Sequence, residues 1–433
     1  MRGTATIRAS VASTAAAVAI IGCGGEDKRE PIPLASVKTA AERVEKLRGL
    51  EFRRLPKVQK LDRAGVRSTF GRIFSTELLR LEEAGRLEGL KRTLAASSQL
   101  LLLTETIDPK GDPRKARTED VTSIAGAYEP SRNTVYLRRR AVLGGGRAGN
   151  EVLAHELTHA LEEQTLGSRP GLAEPLAEST GGRKALVEGS ATLSEIVYAQ
   201  RHLGERRSVD EVLDERERDA EGPGFTRALA TSQSFPYVAG ARFAQALRRR
   251  AEGSWRLVDR AHRRPPVSTE QILHPDKWVT GERPVRVTIP RRPPLERSLR
   301  SVGGGELGEL DTGIVLRTGV SEDEAARAAS GWGGGAFAVW QRGKGPDPLC
   351  PPPCRQRFAA LMAWRWDSES DAREAQSATK RYVDKALRPR SGGNGSWRLE
   401  EGAVAVAGSR GGSSLAFAPT VRAARALAAT GVR

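Results

Sequence analysis

The stretch EVLAHELTHALEEQ, residues 151–164, constrains this chain more than any other, because it sets two of only five histidines four residues apart with a glutamate directly after the first. Leu153, Leu157, Ala160 and Leu161 recur at i, i+4, i+7 and i+8, an apolar stripe of 3.6-residue period that predicts a helix. Upstream, the glycines of LGGGRAG interrupt regular structure, and Asn150 is the expected N-cap. On such a helix His155 and His159 share a face one turn apart, so their imidazoles can converge on one ion. Glu156 is rotated about 100° from His155 and reaches a water on that ion instead of the ion itself. The competing reading is a surface helix with incidental histidines. With five histidines in 433 residues, a chance H-E-x-x-H on a helix-period stretch is rare, and the metal reading leads.

Zinc that does chemistry takes three protein ligands and one open position. No third histidine follows at the spacing that extends the motif in metzincins. Downstream, KALVEGSATLSEIVYAQ (184–200) reads as a second helix, with Leu186, Ser190, Leu193 and Val197 on one stripe and Glu188, Thr192 and Glu195 on another. Glu188 is the expected third ligand, with Glu178 and Glu195 as its substitutes. The alternative for Glu188 is a solvated helix carboxylate.

HELTH followed after a loop by VEGSA resembles the gluzincin metallopeptidases, over roughly residues 150–202. In that family a Glu on a second helix completes a His, His, Glu zinc site, so the resemblance implies Zn2+ held by His155, His159 and Glu188. Beyond those helices the chain is similar to bacterial lipoproteins of the metallopeptidase kind. It departs from the thermolysin-like branch at one place. There an Asp four residues after the ligand Glu orients a histidine, and here Thr192 stands at that position without a charge.

Arg2 and Arg8 precede the apolar run ASVASTAAAVAII, which closes in IIGC and is too short to span a membrane comfortably. Ile20, Ile21, Gly22 and Cys23 resemble a bacterial lipobox, which implies residues 1–23 as a signal peptide, lipid on Cys23 and residues 24–36 as a tether. The expected location is therefore the outer face of the cytoplasmic membrane. Cys350 and Cys354, in CPPPC, are then expected to form a local disulfide; two thiolates without nearby histidine make a poor zinc site. The net charge of +17 is spread along the chain without a compact basic motif or aromatic interleaving, which argues against a nucleic-acid partner.

The fold class expected is α+β: a zincin-like catalytic domain over 37–300 and a smaller α+β domain over 301–433. The first begins with helix, short strand and long helix, then a hairpin SIAGAYEPSRNTVYLRR turning at EPSR. In zincins a strand before the first metal helix lies at a sheet edge and pairs with substrate, so NTVYL is a candidate rail; a plain core hairpin fits equally. GSRPGLAEPLAESTGG reads as a loop that can border a cleft. Ser268 and Gln271 form a capping-box pattern for a short helix ending before Pro275. His274, Tyr237 and Tyr198 are candidates for stabilising the oxyanion, and in each case a structural role competes.

The segment GERPVRVTIPRRPPLERSLRSVGGG has the composition of a domain boundary. After it come strand GIVLRT, helix, strands AFAVWQ and FAALMAWRW, helix, strands SWRLE and AVAVAG, and a final helix, an order compatible with a ferredoxin-like domain. The expected function is zinc-dependent hydrolysis of peptide bonds in a peptide or protein substrate, with Glu156 as base. A non-catalytic zincin-fold lipoprotein binding envelope partners is the alternative. A di-iron bundle, which needs a second E-x-x-H, finds only Asp259 with His262.

Overall fold

The computed structural model describes residues 36–107, 125–139, 146–168, 177–220, 227–290, 293–343 and 352–432. Cys23, with the expected leader and tether, and Cys350 lie outside the described residues, so only the Cys354 half of the expected bridge is seen, and it is disulfide-bonded. Among the described residues no helix is long and apolar enough to cross a membrane.

The first half is built on helices around a small sheet. Helix α1 (Val37–Arg48) starts where the Ser36 hydroxyl accepts from Thr39 N–H and stops at Gly49, whose φ of 67° suits a residue without Cβ. Strand β1 (Lys57–Leu61) follows. The expected long helix is two, α2 (Arg63–Glu83) and α3 (Leu87–Leu103), broken at Gly85 with φ of 67°. Strands β2 (Gly126–Glu129) and β3 (Thr134–Arg138) form the hairpin, turning through a 3-10 segment at Pro130–Arg132. Sheet order is β1-β3-β2, with β1 parallel and β2 antiparallel to β3. NTVYL is therefore the middle strand, paired on both sides, and it cannot serve as a rail; among the described residues β1 and β2 are the edges of this sheet.

Helices α4 (Gly146–Leu166) and α5 (Glu178–His202) pack over this sheet. Asn150 is inside α4, not at its cap, and its amide donates to Gly146 O at 2.8 Å. The ESTGG end of the expected loop is likewise the first turn of α5, where bare Gly182 lets the Ser268 carbonyl approach. Helices α6 (Val209–Asp219), α7 (Arg227–Arg250), α8 (Arg256–Arg263), α9 (Thr269–Leu273) and α10 (Pro275–Thr280) complete this half. Ser268 caps α9 as expected, accepting from Gln271 N–H, although the Gln271 side chain turns to Val267 N–H. Leu153, Leu157, Leu161, Leu186, Leu193 and Phe243 share one core with Val135 and Leu137 of β3.

The second half is one antiparallel sheet of seven strands in the order β4-β5-β6-β10-β9-β8-β7. Its strands are β4 (Leu299–Glu306), β5 (Trp332–Arg342), β6 (Phe358–Trp366), β7 (Ser391–Gly393), β8 (Ser396–Arg398), β9 (Ala403–Gly408) and β10 (Gly412–Ala418). Helices α11 (Glu309–Leu316), α12 (Glu322–Ala329) and α13 (Glu369–Ala386) join the core on one face, and α14 (Val421–Gly431) covers the other. GIVLRT is the end of α11 and not a strand: a short apolar run lacks the period that separates a buried strand from a buried helix. The α+β class stands, but the ferredoxin-like order does not, because β4, β5 and β6 are successive neighbours with no strand inserted between them. The two halves interlock. Ala96, Leu100 and Leu103 of α3 belong to the core of the second, and the boundary expected between 300 and 301 falls inside β4.

Candidate metal centre

The two histidines and Glu188 converge as their helical spacing requires. His155 Nε2 lies 3.5 Å and His159 Nε2 3.4 Å from the same oxygen, Glu188 Oε2, and the imidazoles meet edge to face with centroids 4.7 Å apart. Their donor atoms all fall within 4.8 Å of one another. None of these facing atoms has a hydrogen-bond partner: His155 Nε2, His159 Nε2 and both Glu188 oxygens are buried and unsatisfied. Four orphaned polar atoms aimed at one point would be costly unless a cation met them. Two imidazole nitrogens and a carboxylate are a donor set that zinc accepts, so the residues fit the ion.

Behind His155 stands Glu195, whose Oε2 is 3.0 Å from Nδ1. A carboxylate only accepts, so Nδ1 carries a proton toward Glu195, and Nε2 is the nitrogen left to meet a cation beside Glu188. Arg216 of α6 donates to the other Glu195 oxygen at 2.6 Å. Glu195, weighed from sequence only as a substitute ligand, is therefore the residue that orients a histidine. Thr192 does not take that role; its buried hydroxyl has no partner. The sequence held a signal for Glu195, which is two turns along the same stripe as Glu188, but none for Arg216, one arginine among many on a charged helix.

The site is crowded with carboxylates and asks for positive charge. Burial works against a charge on His155, yet Glu188 and Glu195 outweigh it and hold the imidazole at about 10. Against the cost of burial, His159 and His155 keep Glu188 well below the usual carboxylate range. Burial pushes Glu156 up to about 7 although His159 and His155 oppose it. Glu156 is fully buried with both oxygens unpartnered.

Helix α7 closes the site by an unusually near approach to α5. A Cβ on Gly189 would lie 2.0 Å from the Gly240 carbonyl carbon, and one on Gly240 would lie 1.9 Å from Ala185 O. The glycine of VEGSA is thus required by packing, and the approach brings Tyr237 to 6.4 Å from His155, ring to ring.

The other candidates stand elsewhere. His274 Nε2 pairs with Glu309 of α11 at 2.9 Å, at the junction of the halves. Tyr198 is buried in the core with Arg43 on its hydroxyl at 3.3 Å. Glu178 opens α5 and accepts from Thr269. Asp259 holds Arg48, and His262 lies between Ser168, Ser190 and Glu162, so neither supplies a second metal site. A second acidic group, Glu270, Glu282 and Asp367, already encloses the Lys277 ammonium.

A family model described as a domain of unknown function (DUF8575) matches residues 296–428, which is the second half and not the helices that carry His155, His159 and Glu188. No curated protein and no solved structure matches the chain.

Proposed function

We propose that the chain is a zinc-dependent metallopeptidase, tethered by lipid on Cys23 at the outer face of the membrane. The observation that carries this reading is the convergence of buried, unpartnered His155 Nε2, His159 Nε2 and Glu188 oxygens beside an equally unpartnered Glu156. A disulfide at Cys354 supports an oxidising compartment.

His155, His159 and Glu188 would hold the ion. Zinc, when bound, supplies a Lewis acid that polarises a carbonyl and makes water nucleophilic near neutral pH. Glu156, one residue from a ligand yet directed past it, takes the proton from the attacking water and passes it to the leaving nitrogen. Glu195, held by Arg216, keeps His155 in the tautomer that presents Nε2. Tyr237 is the hydroxyl nearest in character to an oxyanion donor, on a helix pressed against α5.

Strand β2 takes the rail role expected of NTVYL. Arg138 N–H donates to Ala125 O in register, so the antiparallel alternation turns the N–H and C=O of Gly126 away from β3 toward the sheet edge. An extended peptide adding to that edge would run past Glu156.

The test is metal analysis with turnover of an unfolded protein substrate. One zinc per chain, lost in Glu188→Ala, with cleavage abolished by chelation and restored by zinc, is the expected result. Stoichiometric zinc with no hydrolysis of any peptide would leave a binding protein in place of an enzyme. For the tether, Cys23→Ser is expected to move the protein from the membrane to the soluble fraction.

A further inference from the structure

Gly126 lies on β2 directly above the side chain of Glu156. A Cβ at this position would stand 2.8 Å from Glu156 Oε1, 2.9 Å from Glu156 Cγ and 2.9 Å from Val152 Cγ1. Carbon atoms in contact sit at about 3.5–4.0 Å, so none of these approaches is tolerable as it stands. Moving the end of a flexible carboxylate is ordinarily cheap. Here the struck atoms include Cγ and a branched neighbour on the same helix, and Glu156 is fully buried. Relief then falls on Glu156 as well as Val152, and any shift of Glu156 takes it from the position it holds beside His155 and His159.

We infer that Gly126 is a positioning residue for Glu156: the bare backbone of the edge strand is the wall that fixes where the carboxylate stands relative to the two histidines. The inference rests on the metallopeptidase reading for its consequence in catalysis, but the contact between residues 126 and 156 is independent of it. The backbone of Gly126 that faces the sheet edge belongs to the same residue whose missing side chain makes room for the base. One residue thereby sets the distance between an added substrate strand and the group that moves its proton. Neither Val152 nor Glu156 can be read from the sequence as a neighbour of Gly126, since 26 and 30 positions separate them from it.

A double-mutant cycle on the full chain tests this, with thermal stability of the metal-free protein as the first readout. Gly126→Ala is expected to lower the midpoint by a few degrees, on the order expected for modest overpacking of a core. Glu156→Ala removes Cγ and the carboxylate, so the same Gly126→Ala change is expected to cost less in that background. Equal cost in both backgrounds overturns the inference and leaves Val152 as the residue Gly126 accommodates. The second readout uses zinc-loaded protein. Gly126→Ala is expected to keep one zinc per chain and lose on the order of 100-fold in kcat, the scale of an ångström of misplacement. Added to Glu156→Gln it is expected to cause no further loss. A Gly126→Ala enzyme with the wild-type kcat also overturns the inference. A wild-type protein that binds zinc, cleaves nothing and still shows the stability coupling overturns the peptidase reading alone.

Discussion

A buried carboxyl group with no hydrogen-bond partner is expensive, and Glu156 is one with both oxygens unsatisfied. Burial holds it at about 7, where gaining or losing a proton costs little near neutral pH, as a general base requires. Glu156→Gln retains size and removes the ability to accept that proton. The expected outcome is an unchanged fold, one bound zinc and peptidase activity lower by at least ~100-fold; loss of zinc instead would make Glu156 a ligand. With Glu156 as the base, the carboxylate is the working form, so activity should fall as pH drops through its pKa, and a bound cation should move that limb below 7. Glu195 would act on a bound ion through His155. Glu195→Ala should weaken zinc binding by roughly 10–100-fold in a chelator competition, whereas Thr192→Ala should leave it unchanged. Equal affinities in the two variants would remove Glu195 from the metal centre. His155, Glu156 and His159 were legible because the motif and the helical period coincide, and Glu188 because one helix face carries it. Gly126 and Arg216 act across the fold, through contacts that no local pattern encodes.

At the level of elements, the candidate metal centre depends on how closely α5 and α7 approach. The backbone of Gly240 meets that of Gly189 and Ala185, so one methyl group forces two helices apart. Gly240→Ala should cost about 1–3 kcal/mol by overpacking, seen in denaturant unfolding, and should weaken zinc binding as Glu188 shifts on α5. A stable variant with native zinc affinity would show that the helices slide to admit the methyl. The period of α4 and of α5 could be read because each buries apolar residues at helical spacing. GIVLRT could not, since three buried apolar side chains in a row, Ile314, Val315 and Leu316, fit either regular structure, and only the packing of α11 against the sheet decides. Strand β4, rich in glycine, and the edge position of β2 were equally hidden, the first for want of β-formers and the second because sheet order is a property of pairing between distant segments.

Across the whole molecule, the second half holds the start of α5, the helix that carries Glu188. Glu306 of β4 accepts the Glu178 N–H at 2.8 Å, a carboxylate at a helix N-terminus, where the macrodipole favours it. The Glu178 side chain accepts from Thr269 N–H at 2.8 Å and from its hydroxyl at 2.7 Å, and lies so near Gly308 that a Cβ there would be 2.1 Å from Oε1. His274 with Glu309, and Lys277 with Asp367, tie the same halves beside it. Burial and the neighbouring Asp311 and Glu306 raise Glu178 to about 8, against the hydrogen bonds from Thr269. The sign of the linkage follows. Above about 4.5 the unfolded chain gives up this proton while the folded protein keeps it, so this group lowers stability progressively as pH rises, until the folded group also ionises near 8. Glu178→Gln keeps a neutral acceptor for Thr269 and has no proton to lose. Its midpoint should match the wild type near pH 5 and exceed it by a margin that grows up to pH 8, measured by thermal unfolding across that range. A variant that is less stable than wild type by the same amount at every pH would mean that Glu178 is charged at the junction and that the two halves are held together by its ion and not by its proton.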